Sequence, residues 1–337
     1  MEDIRERLSL IPDPRHPSYI GYKLSDILII IMVAVLCGLD QLCDIVLFAN
    51  ERVSFFERYF DIGKIHSKPT FSRVLNYMKA DEVSKVIVNI MKDQVKEIGS
   101  ILAFDGKAIR STSAKGKPHS ALQILTAYMV ETGVVLAQES IHEKTNEIPV
   151  LRDMLDYIDV KGKIVTADAM HCQRDTCNKI VDPEHGGDYV FGLKENQGSL
   201  YEDVDLFFSD PPPDENIEIH TETEKSHGRI EKRICRKTTD IGWLSHHEWD
   251  GLKSVFAVRR IITSKSGTTD EMGYYISSLD APANELLHIS HAHWGIESMH
   301  WMLDEDFSED ECMLLSENGQ KPSMPSVSWL FLSIETL

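Results

Sequence analysis

Apolar residues recur every three to four positions through 27–48, 53–60 and 83–95, the period of helices that bury one face. The apolar run 27–37 is shorter than the roughly 20 residues a membrane-spanning helix needs. With Ser25 and Asp26 at its start as caps, it reads as a buried core helix. The segment SKPTFSRVLNYM, 67–78, offers Ser67 as a cap, Pro69 in the first turn and an apolar stripe of Phe71, Val74, Leu75 and Met78. Its other face carries Thr70, Ser72, Arg73 and Asn76, small polar and basic types that a recognition helix presents to a major groove. An ordinary amphipathic helix accounts for the same pattern.

Near residue 97 the pattern turns to strands. ILAFDG (101–106), LQILTAYMV (122–130), VVLAQESI (134–141) and KIVTADAM (163–170) stand out, with Gly133 turning the second into the third. A helical segment at 149–158 precedes the fourth strand, another at 174–181 follows it, and DYVFGLK (188–194) is a fifth strand. Three strands, helix, strand, helix, strand is the order of a ribonuclease-H-like α/β mixed sheet. Residues 195–282, with VFAVRRIIT and MGYYISSL, read as a β-rich insertion with few helix signals. The chain thus divides into a small all-helical region, 1–96, and an α/β domain, 97–337.

Candidate chemistry begins with two acids that close apolar strands, Asp105 and Asp168. The topology makes these strands neighbours, so their ends bring the two carboxylates together. Two buried anions repel, and a divalent cation resolves the conflict. A third acid comes from HWGIESMHWMLD, 293–304, where a helix sets His293, Glu297, His300 and Asp304 within an arc of about 60°. Glu297 completes the cage, and Asp304 supports the helix or caps a loop beyond it. Each acid taken singly is also an ordinary turn or surface residue. His293 and His300 fit either a place near DNA or a satisfied interface, and Trp294 and Trp301 read as packing anchors. Glu297 and His300 also have the spacing of a carboxylate-bridged di-iron bundle, but that site needs four long helices and a second such pair.

Composition narrows the choice. At 337 residues, 42% hydrophobic and 26% charged, the chain is an ordinary folded protein. A net charge of −19 argues against nonspecific coating of nucleic acid but leaves room for a local basic patch. Lys225, Arg229, Lys232, Arg233, Arg236 and Lys237 form such a patch in sequence, opposed only by Glu231. A solvated ribbon with basic edges is the alternative. Lys107, Arg110, Lys194 and Asn196 follow the strand ends and could hold a phosphate. Six scattered cysteines without a paired framework point to a reducing cytoplasm, and no secretory signal or membrane span is visible. His171, Cys172 and Cys177 lack the spacing of a zinc knuckle. No Walker loop is present, so ATP is not expected.

Six blocks in order carry a resemblance: LAFDGKAIR (102–110), EKTNEIPVLRDML (143–155), VTADAMHCQRDT (165–176), GGDYVFGLKENQGSL (186–200), HGRIEKR (227–233) and HWGIESMHWMLDEDFSED (293–310). In these the chain resembles the ISAs-type insertion-sequence transposases, including the H-repeat-associated proteins, of the DDE superfamily. The resemblance implies that Asp105, Asp168 and Glu297 are a catalytic, metal-binding triad. It implies Mg²⁺ with Mn²⁺ as substitute, two ions about 3.5–4 Å apart, cutting DNA at transposon ends and joining it to a target. It further implies that residues 1–96 are the family's associated domain and that a homodimer acts on paired ends. The segment 316–337 lacks the basic helical tail of the family. This leaves open an impaired or truncated remnant that binds element ends without cutting them.

Overall fold

The computed structural model describes residues 2–13, 15–39, 41–78, 100–109, 122–141, 146–212, 216–226 and 228–305. The helical pattern at 83–95, Arg110 and the tail beyond 305 lie outside the described residues. Two compact units emerge, one of Met1–Ile98, Gly106–Asn146 and Ser298–Leu337, the other of Gly99–Asp105 and Glu147–Glu297.

The first unit contains α1 (Glu2–Leu8), α2 (Leu24–Leu36), α3 (Leu42–Glu51), α4 (Val53–Phe60) and α5 (Lys68–Tyr77). Ile27 through Ile31 are at most 2% exposed, because α2 is apolar on every side and must be surrounded. Ser25 and Asp26 do not cap this helix: it starts at Leu24 after Lys23, Ser25 is buried, and Asp26 pairs with Arg5. The apolar period at 27–48 is two helices, divided where Gly38 takes a φ of +81°. Helix α5 starts where expected, with Ser67 at the N-cap position and Pro69 in the first turn, but the Ser67 side chain makes no capping hydrogen bond to the backbone. Its stripe of Phe71, Val74, Leu75 and Met78 is buried and Arg73 is exposed. The hairpin β2 (Leu122–Met129) to β3 (Val134–Ile141) turns at Gly133, at φ +70°.

Among the described residues, the first unit holds the β2–β3 pair, and in the second the strands run in the order β1-β4-β5-β9-β8-β7-β6. Strand β1 is Ile101–Ile109, β4 Ile164–Ala167 and β5 Asp188–Leu193, with β4 parallel to both neighbours. A meander of β6 (Glu218–Ser226), β7 (Arg229–Thr238), β8 (Ser254–Ser264) and β9 (Gly267–Ser277) joins β5 through β9. The helices of the second unit are α6 (Glu147–Leu155), α7 (Arg174–Val181), α8 (Gly198–Ser209) and α9 (Ala283–Ala292). The last helix among the described residues, α10, runs Trp294–Glu305.

Three expectations are corrected here. Strand β1 continues three residues past Gly106, which puts Asp105 in mid-strand. The region 195–282 contains a twelve-residue helix, α8, whose Leu200, Val204, Phe207 and Phe208 are buried at helical spacing. The C-terminal stretch is two helices meeting at His293, with φ −51° and ψ −34° there.

Candidate active site

Strands β1 and β4 pair in parallel, with Ala103 opposite Thr166 and Phe104 opposite Ala167. The next residue on each is an acid, Asp105 and Asp168. Side chains alternate along a strand, so Asp105 shares the face of Ala103, which lies opposite Thr166, and Asp168 comes one residue past the end of β4. On that face the Thr166 hydroxyl lies 3.1 Å from His293 Nδ1. The His293 ring reports both acids: burial lowers its pKa, while the charges of Asp105 and Asp168 push it back up. Glu297 is four residues on, in the first turn of α10. Asp105, Asp168, His293 and Glu297 all belong to the second unit.

These carboxylates are not buried as the strand-end argument required. Asp168 is 58% exposed, Glu297 is exposed and Asp105 is intermediate. The reason for Asp168 is local. It follows the last residue of β4 and caps the 3-10 turn Ala169–His171, its Oδ1 accepting the Ala169 N–H at 2.8 Å. Repulsion between desolvated anions therefore does not carry the metal argument. What remains is a pair of accessible carboxylates at neighbouring positions of two adjacent strands, oxygen donors of the kind that suit a hard divalent cation. Among the described residues these acids and Glu297 do not come within ligand distance of one another as a group.

A family model for the transposase DDE domain matches residues 96–321, and a second, described as DDE_Tnp_1-associated, matches residues 5–91. The chain belongs to the DDE-superfamily insertion-sequence transposases. "Putative transposase YncI" of Escherichia coli O157:H7 is 35% identical over 330 residues, 95% of this chain and 84% of the relative. "H repeat-associated putative transposase YhhI" of Escherichia coli K12 is 32% identical over 332 residues, 95% of this chain and 86% of the relative. Among solved structures, a piggyBac transposase synaptic complex with hairpin DNA aligns over 99% of this chain and 77% of that one, at TM-score 0.42 and 11% identity. No helix among the described residues is long and apolar enough to cross a membrane.

Around the acids of this transposase, His171 and Asn196 hold the frame rather than a zinc ion or a phosphate, joined by Gln197, which the sequence did not single out. His171 is buried, with Nε2 3.3 Å from Glu147 Oε2 and no hydrogen-bond partner for Nδ1 among the described residues. The signal was its place three residues after Asp168, where a tight turn points it back into the core. Asn196 Nδ2 donates to the Ala169 carbonyl at 2.9 Å, and Gln197 Nε2 to that of Cys172 at 2.6 Å. Asn196 thus steadies the turn that carries Asp168. Burial pushes the Cys172 thiol up to about 12 and raises that of Cys177 as well.

The cationic candidates separate by environment. Lys194 is 71% exposed, with Nζ 3.6 Å from Asp168. Lys107 is paired with Asp304 on α10 and also donates to the His300 carbonyl at 3.4 Å. Trp294 and Trp301 are 46% and 64% exposed, so neither is the packing anchor expected of it. Instead, Arg260 lies 4.7 Å above the Trp294 ring.

The six bases of 225–237 do not make one patch, because β7 alternates faces. Arg229, Glu231, Arg233 and Lys237 lie on one side, Lys232 and Arg236 on the other. Glu231 is also not the sole opposing acid. Arg233 meets Glu231 at 2.8 Å and Glu224 at 3.5 Å, and buried Lys237 meets Asp280 at 2.8 Å and Glu218 at 3.7 Å. Arg236 donates to the Phe208 carbonyl and stacks over that ring. Lys225, Arg229 and Lys232 are the exposed cations of the group.

Proposed function

We propose that Asp105, Asp168 and Glu297 hold divalent metal and cut DNA at the ends of an insertion sequence, after which the freed 3′-hydroxyl is joined to target DNA. The supporting observation is the β1–β4 register, which ends one residue before each aspartate, together with the charges of both acids acting on His293, whose ring meets Thr166. Mg²⁺ held there, or Mn²⁺ in its place, would activate the attacking oxygen and stabilise the leaving one. The chain's own residues do the positioning. The Thr166–His293 contact ties the start of α10 to β4, and on this reading it would bring Glu297 toward the strand acids once metal binds. Burial keeps His293 neutral, so the ring adds no cation to compete with the metal. Lys194, beside Asp168, would reach the scissile phosphate, with Lys225, Arg229 and Lys232 on flanking DNA. Residues 1–96, with Arg73 exposed on α5, would recognise the element end. The sheet is read as ribonuclease-H-like, and a homodimer on paired ends as the working assembly.

The test is cleavage of DNA that carries the element's flanking repeats, in Mg²⁺, Mn²⁺ or EDTA. Asp105→Asn, Asp168→Asn and Glu297→Gln should each cut at least about 10²–10³-fold more slowly while still binding the repeats. Repeat binding without cleavage by wild type in either metal would overturn the proposal.

A further inference from the structure

A second group of metal-ligating side chains lies apart from these acids in sequence, on α8 and on the 3-10 helix Gly242–His247. The two elements are packed through Phe207 and Trp243, whose rings stack at 4.7 Å. Asp203 Oδ2 lies 2.8 Å from His247 Nε2 and 3.3 Å from His246 Nε2, so two imidazoles converge on one carboxylate oxygen. The 3.3 Å separation is that of an edge of a zinc tetrahedron with ligands near 2.0–2.1 Å, about 3.3 Å. The 2.8 Å separation is the length of a hydrogen bond, which His247 would exchange for the ion by giving up its Nε2 proton.

The ring of His246 adds an independent observation. Its Nδ1 is 3.1 Å from the Trp243 carbonyl, and a carbonyl oxygen can only accept, so Nδ1 carries the hydrogen. In the neutral ring Nε2 then presents a lone pair, directed at the carboxylate. Two acceptors facing each other repel unless a cation lies between them. An imidazole that donates one N–H to a backbone carbonyl and offers the other nitrogen is the arrangement typical of metal-bound histidine. His247 is buried and His246 is 62% exposed, so the group is anchored on one side and open on the other.

We propose that Asp203, His246 and His247 bind one zinc-class divalent ion, with solvent in the remaining position, and that the ion pins α8 to the 242–247 turn. Two nitrogens and one carboxylate favour Zn²⁺, Co²⁺ or Ni²⁺ over Mg²⁺, which prefers oxygen ligands. The role is a brace within the 195–282 region, separate from DNA chemistry.

The experiment uses the full chain carrying Asp168→Asn, in excess Mg²⁺ so that the strand acids are occupied. Zn²⁺ is titrated against a chromophoric chelator, and Co²⁺ absorption reports the ligands. One equivalent should bind, with a cobalt spectrum free of thiolate charge-transfer bands, and Zn²⁺ should raise the melting temperature. His246→Gln and Asp203→Asn should each weaken binding at least tenfold and abolish the shift, while the metal-free melting of His246→Gln stays that of its parent. Zn²⁺ bound equally by both variants, or a thiolate band from Cys172 and Cys177, overturns the site. So does a parent chain that binds no Zn²⁺, in which case a proton on His246 resolves the contact.

Discussion

Glu231 is the acid within the basic run, and it joins strands that would otherwise repel. Its carboxylate is buried, 2.8 Å from Arg233 and 2.7 Å from Arg260. Burial alone would raise its pKa, but the two guanidiniums outweigh that and hold it below the ordinary carboxylate value. A folded pKa below the unfolded one gives stability that is present above the ordinary range and lost as pH falls through the folded value. Glu231→Gln should therefore cost about 3 kcal/mol at neutral pH by urea unfolding, and the gap to wild type should narrow below about pH 4. A gap that stays constant with pH would remove the charge from the explanation. Thr166→Val tests the other residue-scale contact. It strips the hydroxyl from His293, which should cost about 1–2 kcal/mol and slow cleavage more than it weakens DNA binding. Equal loss of both would mean that the contact serves folding alone.

Elements were legible where one face or one period decided them. β2, β3, β5 and α7 could be read from alternation or helical spacing, and the neighbourhood of Asp105 and Asp168 from the pairing of their strands. Helix α8 is legible in the spacing of Leu200, Val204, Phe207 and Phe208, but the strand patterns around it, VFAVRRIIT and MGYYISSL, dominate the region. The basic run misled because a count along the chain ignores that β7 sends alternate residues to opposite faces. The break at His293 has only a weak sequence signal, Gly295 two residues on; tertiary contact with Thr166 accompanies it. Close packing at element ends was equally hidden. Gly187, just before β5, has room for no side chain: an added Cβ would lie 2.9 Å from the Val160 carbonyl and 3.3 Å from Ile180. Gly187→Ala should lower stability by about 1–3 kcal/mol in thermal melts. Gly192→Ala, within β5, would meet only the Ala169 side chain at 3.8 Å and should stay within about 0.5 kcal/mol. Similar losses at both sites would contradict the packing argument.

At the scale of the molecule, a transposase of net charge −19 must hold DNA through few, well-placed cations. The meander supplies a direct comparison on one strand. Lys232 is exposed on β7, whereas Lys237, five residues on, is buried between Asp280 and Glu218. Only the first is free to displace counterions from a phosphate; the second already has its partners and would have to abandon two acids to reach DNA. Lys232→Gln should reduce the slope of log affinity against log salt by about 0.9 and leave the melting temperature unchanged. Lys237→Gln should lower the melting temperature, because two carboxylates lose their partner, and leave the salt slope intact. If Lys232→Gln leaves the slope untouched, β7 is outside the DNA interface, and the phosphate contacts belong to Lys194 and the helical region instead. If Lys237→Gln alters the slope, its ion pairs open on binding, and DNA then competes with Asp280 and Glu218 for the same ammonium.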